Sequence, residues 1–281
     1  MAAPVLAQPL LLGMMRLLEY PELGEPQALL GFIERCVERG LNGFDHADIY
    51  AGGQCEAHFG AALRQAPGLR QRLQIIGKAD IVPAGQDCSR WRVKHYDSSA
   101  GYLRRAVDDS LARLGVERLD GFLLHRPDPL LQVDEVAETL NGLVASGKVG
   151  WVGLSNAGIL HCQALAQCVP LRCNQIELSL QAQHWVWDGS LHALQAAGLQ
   201  VLACRCWPGR PWAVDASAIG YVAHSMKSPP TGAPRPIRWR WPGCGSCPAG
   251  RCRSSAACAG SGSRRRCWAP NWSWTVPPGS T

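Results

Sequence analysis

Long apolar runs are missing from this 281-residue chain: none reaches the roughly 18–20 residues that a membrane-spanning helix requires. The short apolar stretch at residues 10–12 has no basic segment before it and no small-residue cleavage pattern after it. A secretory signal is therefore not expected, and the cytoplasm is the expected compartment. Acidic residues are nearly missing from one segment only. Beyond Cys206 a single acid, Asp215, faces ten Lys and Arg, whereas the residues before it hold 21 acids and 18 bases. The net charge of +6 thus belongs to the end of the chain and does not mark a nucleic-acid partner. The same segment lacks any helical or alternating apolar period, and carries seven of the eleven Trp among Pro, Gly, Ser and Arg. The expected organisation is one folded unit over residues 1–205 and a low-complexity, disordered tail over residues 206–281.

Before that boundary, short apolar runs alternate with amphipathic stretches. Strand-like runs lie at residues 10–15, 41–45, 73–78, 119–125, 149–155, 171–177 and 199–204. Between them, residues 27–39 put Leu29, Leu30, Ile33, Cys36 and Val37 on one face and stop at Gly40. Residues 99–114 put Leu103, Ala106, Val107, Leu111 and Leu114 on one face and stop at Gly115, and residues 134–146 stop at Gly147. Glycine just past the last periodic residue is a helix stop. Repeated strand–helix units predict a parallel sheet with helical crossovers. An open doubly wound sheet would carry a glycine-rich turn after its first strand, and no G-x-G-x-x-G stands there. The fold class predicted is α/β, a (β/α)8 TIM barrel incomplete at the last strand. Cys36, Cys55, Cys88, Cys162, Cys168, Cys173 and Cys204 are scattered, mostly among apolar neighbours. They are expected to be small buried hydrophobes in a reducing compartment.

A barrel enzyme keeps its site at the C-terminal rim, so the strand ends matter most. The second run ends in Phe44-Asp45 and continues through His46-Ala47-Asp48-Ile49-Tyr50. The third ends at Lys78, the fourth at His125 with Arg126-Pro127-Asp128-Pro129 after it, the fifth at Ser155-Asn156, and the sixth delivers Gln175. An acid, a phenol, an amine and an imidazole are thereby expected on one rim. Taken singly, each has an ordinary explanation as a cap, a surface lysine or a core histidine; at matched strand ends they form a constellation. Glu56 reads as a structural anchor behind the site, and His46 and Asp48 as loop-shaping residues.

These motifs resemble the aldo-keto reductase family, in its bacterial general-oxidoreductase branch. Asp45 and Tyr50 within G-F-D-H-A-D-I-Y, followed by Glu56 and Gly60, are similar to the family signature. Lys78 and His125 match the rest of its catalytic tetrad, Gly147 through Asn156 its fifth-strand motif, and Asn174-Gln175 its sixth. The resemblance implies reduction of a small-molecule aldehyde or ketone with NADPH, with no metal, nucleic-acid or membrane partner. It implies Tyr50 as general acid, Lys78 lowering the phenol pKa, Asp45 holding Lys78 charged, and His125 orienting the carbonyl oxygen. Ser155, Asn156 and Gln175 would hold the nicotinamide carboxamide. A non-catalytic relative is the alternative, since the family also contains barrels that serve as regulatory subunits.

From Cys206 onward the family pattern stops, and with it the loops that hold cofactor phosphates. The genetic code offers an explanation. Taking the third base of each codon with the first two of the next, Trp241-Pro242 forces an alanine. The other junctions from Arg238 to Ala257 permit a string that ends in P-I-I-G-S and resembles the family's eighth strand and phosphate loop. The tail is therefore expected to be an out-of-frame translation, leaving two open sheet edges. Two other readings of the tail carry less. Cys244-x-x-Cys247 with Cys252 and Cys258 lacks a second well-spaced pair for zinc. Arg264-Arg265-Arg266 near Trp268, Trp272 and Trp274 has the basic and aromatic composition of a stacking surface, without a fold behind it.

Overall fold

Alternating apolar runs bounded by turn residues form strands, and the amphipathic stretches between them form helices that cover the sheet. In the computed structural model the described residues are 5–6, 10–85, 93–179, 181–204 and 220–224, the last as backbone. The chain divides into Met1–Ser228 and Pro229–Thr281, and every described residue lies in the first unit. The strands are β1 (Leu10–Gly13), β2 (Gly43–Asp45), β3 (Gln74–Ala79), β4 (Ile81–Val82), β5 (His95–Tyr96), β6 (Leu119–Leu124), β7 (Val149–Ser155), β8 (Cys173–Glu177), β9 (Gln200–Cys204) and β10 (Gly220–His224). The helices are α1 (Pro26–Glu38), α2 (Gln54–Leu63), α3 (Ala100–Leu114), α4 (Val133–Ala145), α5 (Ile159–Ala166), α6 (His184–Trp187) and α7 (Ser190–Ala196).

Seven strands, β1, β2, β3, β6, β7, β8 and β9, run parallel around a closed ring, while β4 and β5 form a separate antiparallel pair. This is the predicted (β/α)8-type barrel. The eighth position differs from expectation. Where two open edges are anticipated, β10 lies between β1 and β9 and is antiparallel to both. A strand that runs opposite to its neighbour needs no helical crossover, which a parallel eighth strand would. The metal and nucleic-acid readings of the tail, and Cys88, fall outside the described residues. Cys36, Cys55, Cys162 and Cys173 are buried as expected, but Cys168 is exposed beyond α5. No helix among the described residues is long and apolar enough to cross a membrane.

Two apolar layers follow from the pleat. Outward-facing Phe44, Ile75, Phe122 and Val152 pack with Leu29, Ile33, Leu103, Leu111 and Leu140 of the helices. Inward-facing Leu11, Ile76, Leu123, Cys173 and Leu202, from five strands, meet inside the ring with Val5 and Leu6. The helix α3 starts on a Ser99 cap, whose hydroxyl accepts from the Tyr102 amide, and stops at Gly115 with φ +67°. The helices α2 and α3 touch backbone to backbone, since a Cβ on Gly60 would stand 2.2 Å from the Arg113 carbonyl oxygen. Arg113 Nε also donates to the buried Glu56 Oε2 at 2.7 Å, so Glu56 ties α2 to α3.

Candidate active site

Residues two apart on a strand share a face. Counting two positions toward the rim from the interior apolar layer gives Lys78 from Ile76, His125 from Leu123, Gln175 from Cys173 and Cys204 from Leu202. Ser155 lies two beyond Gly153, and Asp45 follows the outward-facing Phe44. A polar layer thus sits directly above an apolar floor.

Lys78 is among the most deeply buried side chains, at 1% exposure. A buried ammonium is tolerated when paired and hydrogen-bonded. Its Nζ donates to Asp45 Oδ1 at 2.6 Å and to the His46 carbonyl oxygen at 2.9 Å. Burial by itself would lower the Lys78 pKa, but Asp45 and the nearby Tyr50 oxygen outweigh it and hold the amine above its ordinary value. Gln175 Nε2 donates to the same Asp45 oxygen at 3.3 Å.

Tyr50 is carried at the end of the loop after β2, half-buried, with Lys78 Nζ 5.3 Å from its ring centroid. Burial pushes the phenol pKa up, and the Lys78 charge and hydrogen bond pull it back only in part. The expectation that Lys78 lowers the phenol pKa holds for the direction of its own effect; the net position is above the ordinary value because desolvation is larger. His125 meets Tyr50 edge-on, ring centroids 6.1 Å apart. Burial, then the Lys78, Arg126 and Lys94 charges, hold the imidazole well below its ordinary pKa, so it is neutral.

The three residues expected at the cofactor lie together where the end of β7 pairs with β8, Ser155 opposite Gln175. Asn156 has φ +52°, a left-handed conformation that Asn tolerates. Its amide donates to the Gln175 carbonyl oxygen at 2.7 Å, its Oδ1 accepts from the Glu177 amide at 3.0 Å, and its Nδ2 donates to Ser155 Oγ at 3.1 Å. The structure therefore brings Asp45, Tyr50, Lys78, His125 and Gln175 into one cluster, with Ser155 and Asn156 joined to it through β8.

Neighbouring polar residues divide into several kinds. The His46 ring is fully buried edge-on to Phe59 at 4.7 Å, and burial followed by the Lys78 charge brings its pKa down to about 3. Asp48 Oδ2 accepts from the Tyr102 hydroxyl at 3.0 Å, and burial, helped by Glu56, raises its pKa to about 7. Two residues not singled out from sequence belong to this region. Cys204 occupies the polar layer on β9 and contributes to the electrostatics of Tyr50; counting by two from Leu202 would have found it. Asp80, just past β3, is completely buried.

Comparison with known proteins gives the following. A sequence model of the aldo/keto reductase family matches residues 9–206. The 6-dehydroglucose reductase of Agrobacterium fabrum is 42% identical over 174 residues, 61% of this chain and 58% of the relative. The oxidoreductase YdhF of Escherichia coli is 38% identical over 183 residues, 64% of this chain and 61% of the relative. A solved aldo/keto reductase from Klebsiella pneumoniae in complex with NADP and acetate is 27% identical, with a TM-score of 0.56 over 68% of this chain and 62% of that one. The chain spans about three fifths of the length of the curated relatives it matches, 58% and 61% in these two.

Proposed function

Because the chain belongs to the aldo/keto reductase family, we propose that it reduces aldehydes or ketones to alcohols with NADPH in the cytosol. The observation that supports this most is the convergence of Asp45, Tyr50, Lys78 and His125 on one layer above an apolar floor.

Reduction of a carbonyl takes a hydride at carbon and a proton at oxygen. NADPH, when bound, supplies the hydride. Tyr50 gives its phenolic proton to the oxygen; burial keeps that proton in place beforehand. The phenolate left behind faces the Lys78 ammonium, which Asp45 and the His46 carbonyl keep charged and aimed. His125, neutral and edge-on to the phenol, offers an imidazole N–H to the same carbonyl oxygen and fixes its direction. Tyr50 regains its proton from solvent. General acid catalysis of this kind contributes about 10²–10⁴-fold.

The cofactor's amide end finds a fitting donor set. Ser155 supplies a hydroxyl, and Asn156 and Gln175 supply amides, from the end of β7 and the adjacent β8. A carboxamide presents one acceptor and two donors, which this set can match. The Klebsiella relative is solved with NADP. The name of the Agrobacterium relative makes 6-dehydroglucose the first carbonyl to assay.

We also read the residues from 206 onward as an out-of-frame translation, a base having been gained or lost near the codons for residues 203–210. Resequencing those codons tests this directly. The protein from a frame-restored gene should quench or enhance nicotinamide fluorescence saturably and reduce a simple aldehyde. The 281-residue chain, without phosphate-binding loops, should do both poorly. Absence of nicotinamide binding in the frame-restored protein would favour the non-catalytic alternative.

A further inference from the structure

Asp80 sits between β3 and β4 with φ +116°, a backbone conformation that residues with a Cβ rarely adopt, and is 0% exposed. The strand pair β3–β6 ends at Ala79↔Leu124. One further backbone rung follows, the His125 amide donating to the Ala79 carbonyl oxygen at 2.9 Å. The chain then turns, and the Asp80 carbonyl oxygen accepts from the Asp97 amide at 2.9 Å. The amide that follows on the other side, that of Arg126, donates to the Asp80 side chain, 3.1 Å to Oδ1 and 3.0 Å to Oδ2. A buried carboxyl group thus holds the backbone just where β6 leaves the sheet.

We propose that Asp80 is a positioning residue: by holding the Arg126 amide where β6 leaves the barrel, it fixes the direction in which His125 faces Tyr50. This rests on the reading of His125 as the group that orients the substrate carbonyl. The His125 backbone is then held on both sides, by Ala79 before its side chain and by Asp80 after it. The groups around Asp80 come from three other elements: Asp48 from the loop after β2, Tyr102 from α3, and Arg126 and Asp128 from the loop after β6. Burial, with Asp48 and Asp128 adding repulsion against the Arg126 amide, pushes the Asp80 pKa up to about 8. A neutral carboxyl at neutral pH still accepts through its carbonyl oxygen, so an amide side chain should serve the same purpose.

Two variants separate this role from simple folding. Asp80→Gly removes the acceptor while relieving the positive φ, so the fold is not put at risk by strain. Asp80→Asn keeps an acceptor in place. Hydrogen exchange on the full chain reads the Arg126 amide in a segment where Pro127 and Pro129 contribute none. Asp80→Gly should exchange there at least ~10-fold faster, and Asp80→Asn should match the parent. In carbonyl reduction by the frame-restored protein, Asp80→Gly should lose about 10–100-fold in kcat with the KM for nicotinamide unchanged, as expected for a misdirected group; Asp80→Asn should restore most of it. Unchanged exchange and kcat in Asp80→Gly would overturn the proposal, as would equal losses in both variants. A frame-restored parent that binds no nicotinamide would instead overturn the functional reading, and the role of Asp80 with it, while the exchange data would still report whether the Arg126–Asp80 hydrogen bond holds.

Discussion

Asp45 and Lys78 depend on each other more than on anything else in the fold. Removing one member of a buried ion pair leaves an unsolvated charge, which costs about 3–5 kcal/mol. In the frame-restored protein Lys78→Met should therefore lower stability by that order and abolish turnover, whereas combining it with Asp45→Asn should recover most of the stability and none of the activity. Urea unfolding followed by tryptophan fluorescence measures the first, an aldehyde assay the second. Tyr50→Phe makes the contrasting case. It deletes a single half-buried hydroxyl, so in the frame-restored protein stability and nicotinamide affinity should stay near the parent while turnover falls by at least ~10². A Tyr50→Phe protein with most of its turnover would rule out the phenol as general acid. At this scale the sequence is legible where a residue type and a strand end coincide, as at Lys78 and His125. It is not legible where a role depends on backbone geometry. Nothing in the letters around Asp80 announces φ +116° or a side chain holding the Arg126 amide.

Among elements, the contact between α2 and α3 controls how the Tyr50 loop is anchored, because α2 begins four residues after Tyr50. A Cβ at Gly60 would meet the carbonyl oxygen of Arg113, which belongs to helical backbone and cannot swing aside. Gly60→Ala should accordingly cost about 1–3 kcal/mol of overpacking, read as a lower urea midpoint, with a parallel loss of kcat as α2 shifts. Most elements were legible in the sequence because periodicity and stops agreed. The run at residues 149–155 became β7 without a change of boundary, and Gly40, Gly115 and Gly147 all take left-handed backbone after their helices. The run at residues 10–15 shows the converse. Met14 begins a 3-10 turn instead of continuing β1, since an apolar residue buried in a turn leaves the same trace in the sequence as one in a strand. The strand β10 was unreadable, because no apolar period surrounds residues 220–224.

For the molecule as a whole, four buried groups bend stability with pH in opposite directions. His46, at about 3, and His125, well below its ordinary value, stay neutral in the folded protein while their unfolded counterparts take up protons near pH 6.5. Their contribution is complete above pH 6.5 and is lost as pH falls toward about 3, by a few kcal/mol in total order. Asp48, at about 7, and Asp80, at about 8, keep protons that the unfolded chain releases from pH 3.8 upward. Their contribution is complete below pH 3.8 and is lost as pH rises toward about 8. Between pH 3.8 and 6.5 the two trends oppose each other, and above 6.5 only the carboxyls still act. Urea midpoints should thus peak on the mildly acidic side of neutrality, and Asp80→Asn should flatten the decline between pH 6.5 and 8. A midpoint that climbs steadily to pH 8 would contradict the assignment of neutral carboxyls.

The ring itself is fastened unevenly. The strand β10 is matched to β1 over four residue pairs, Leu10↔Ala223 to Gly13↔Gly220, and to β9 over two, Ala223↔Ala203 and His224↔Leu202. Two other seams are as short, β1 to β2 and β7 to β8, each matched over two pairs. A hoop with short joints does not loosen uniformly; thermal fluctuation collects at those joints. The barrel should therefore open at these seams, and where it parts between β9 and β10, β10 should stay attached to β1. Leu202 and Ala203 would then face solvent intermittently while the β6–β7 side of the wall, matched over five pairs, remains shut.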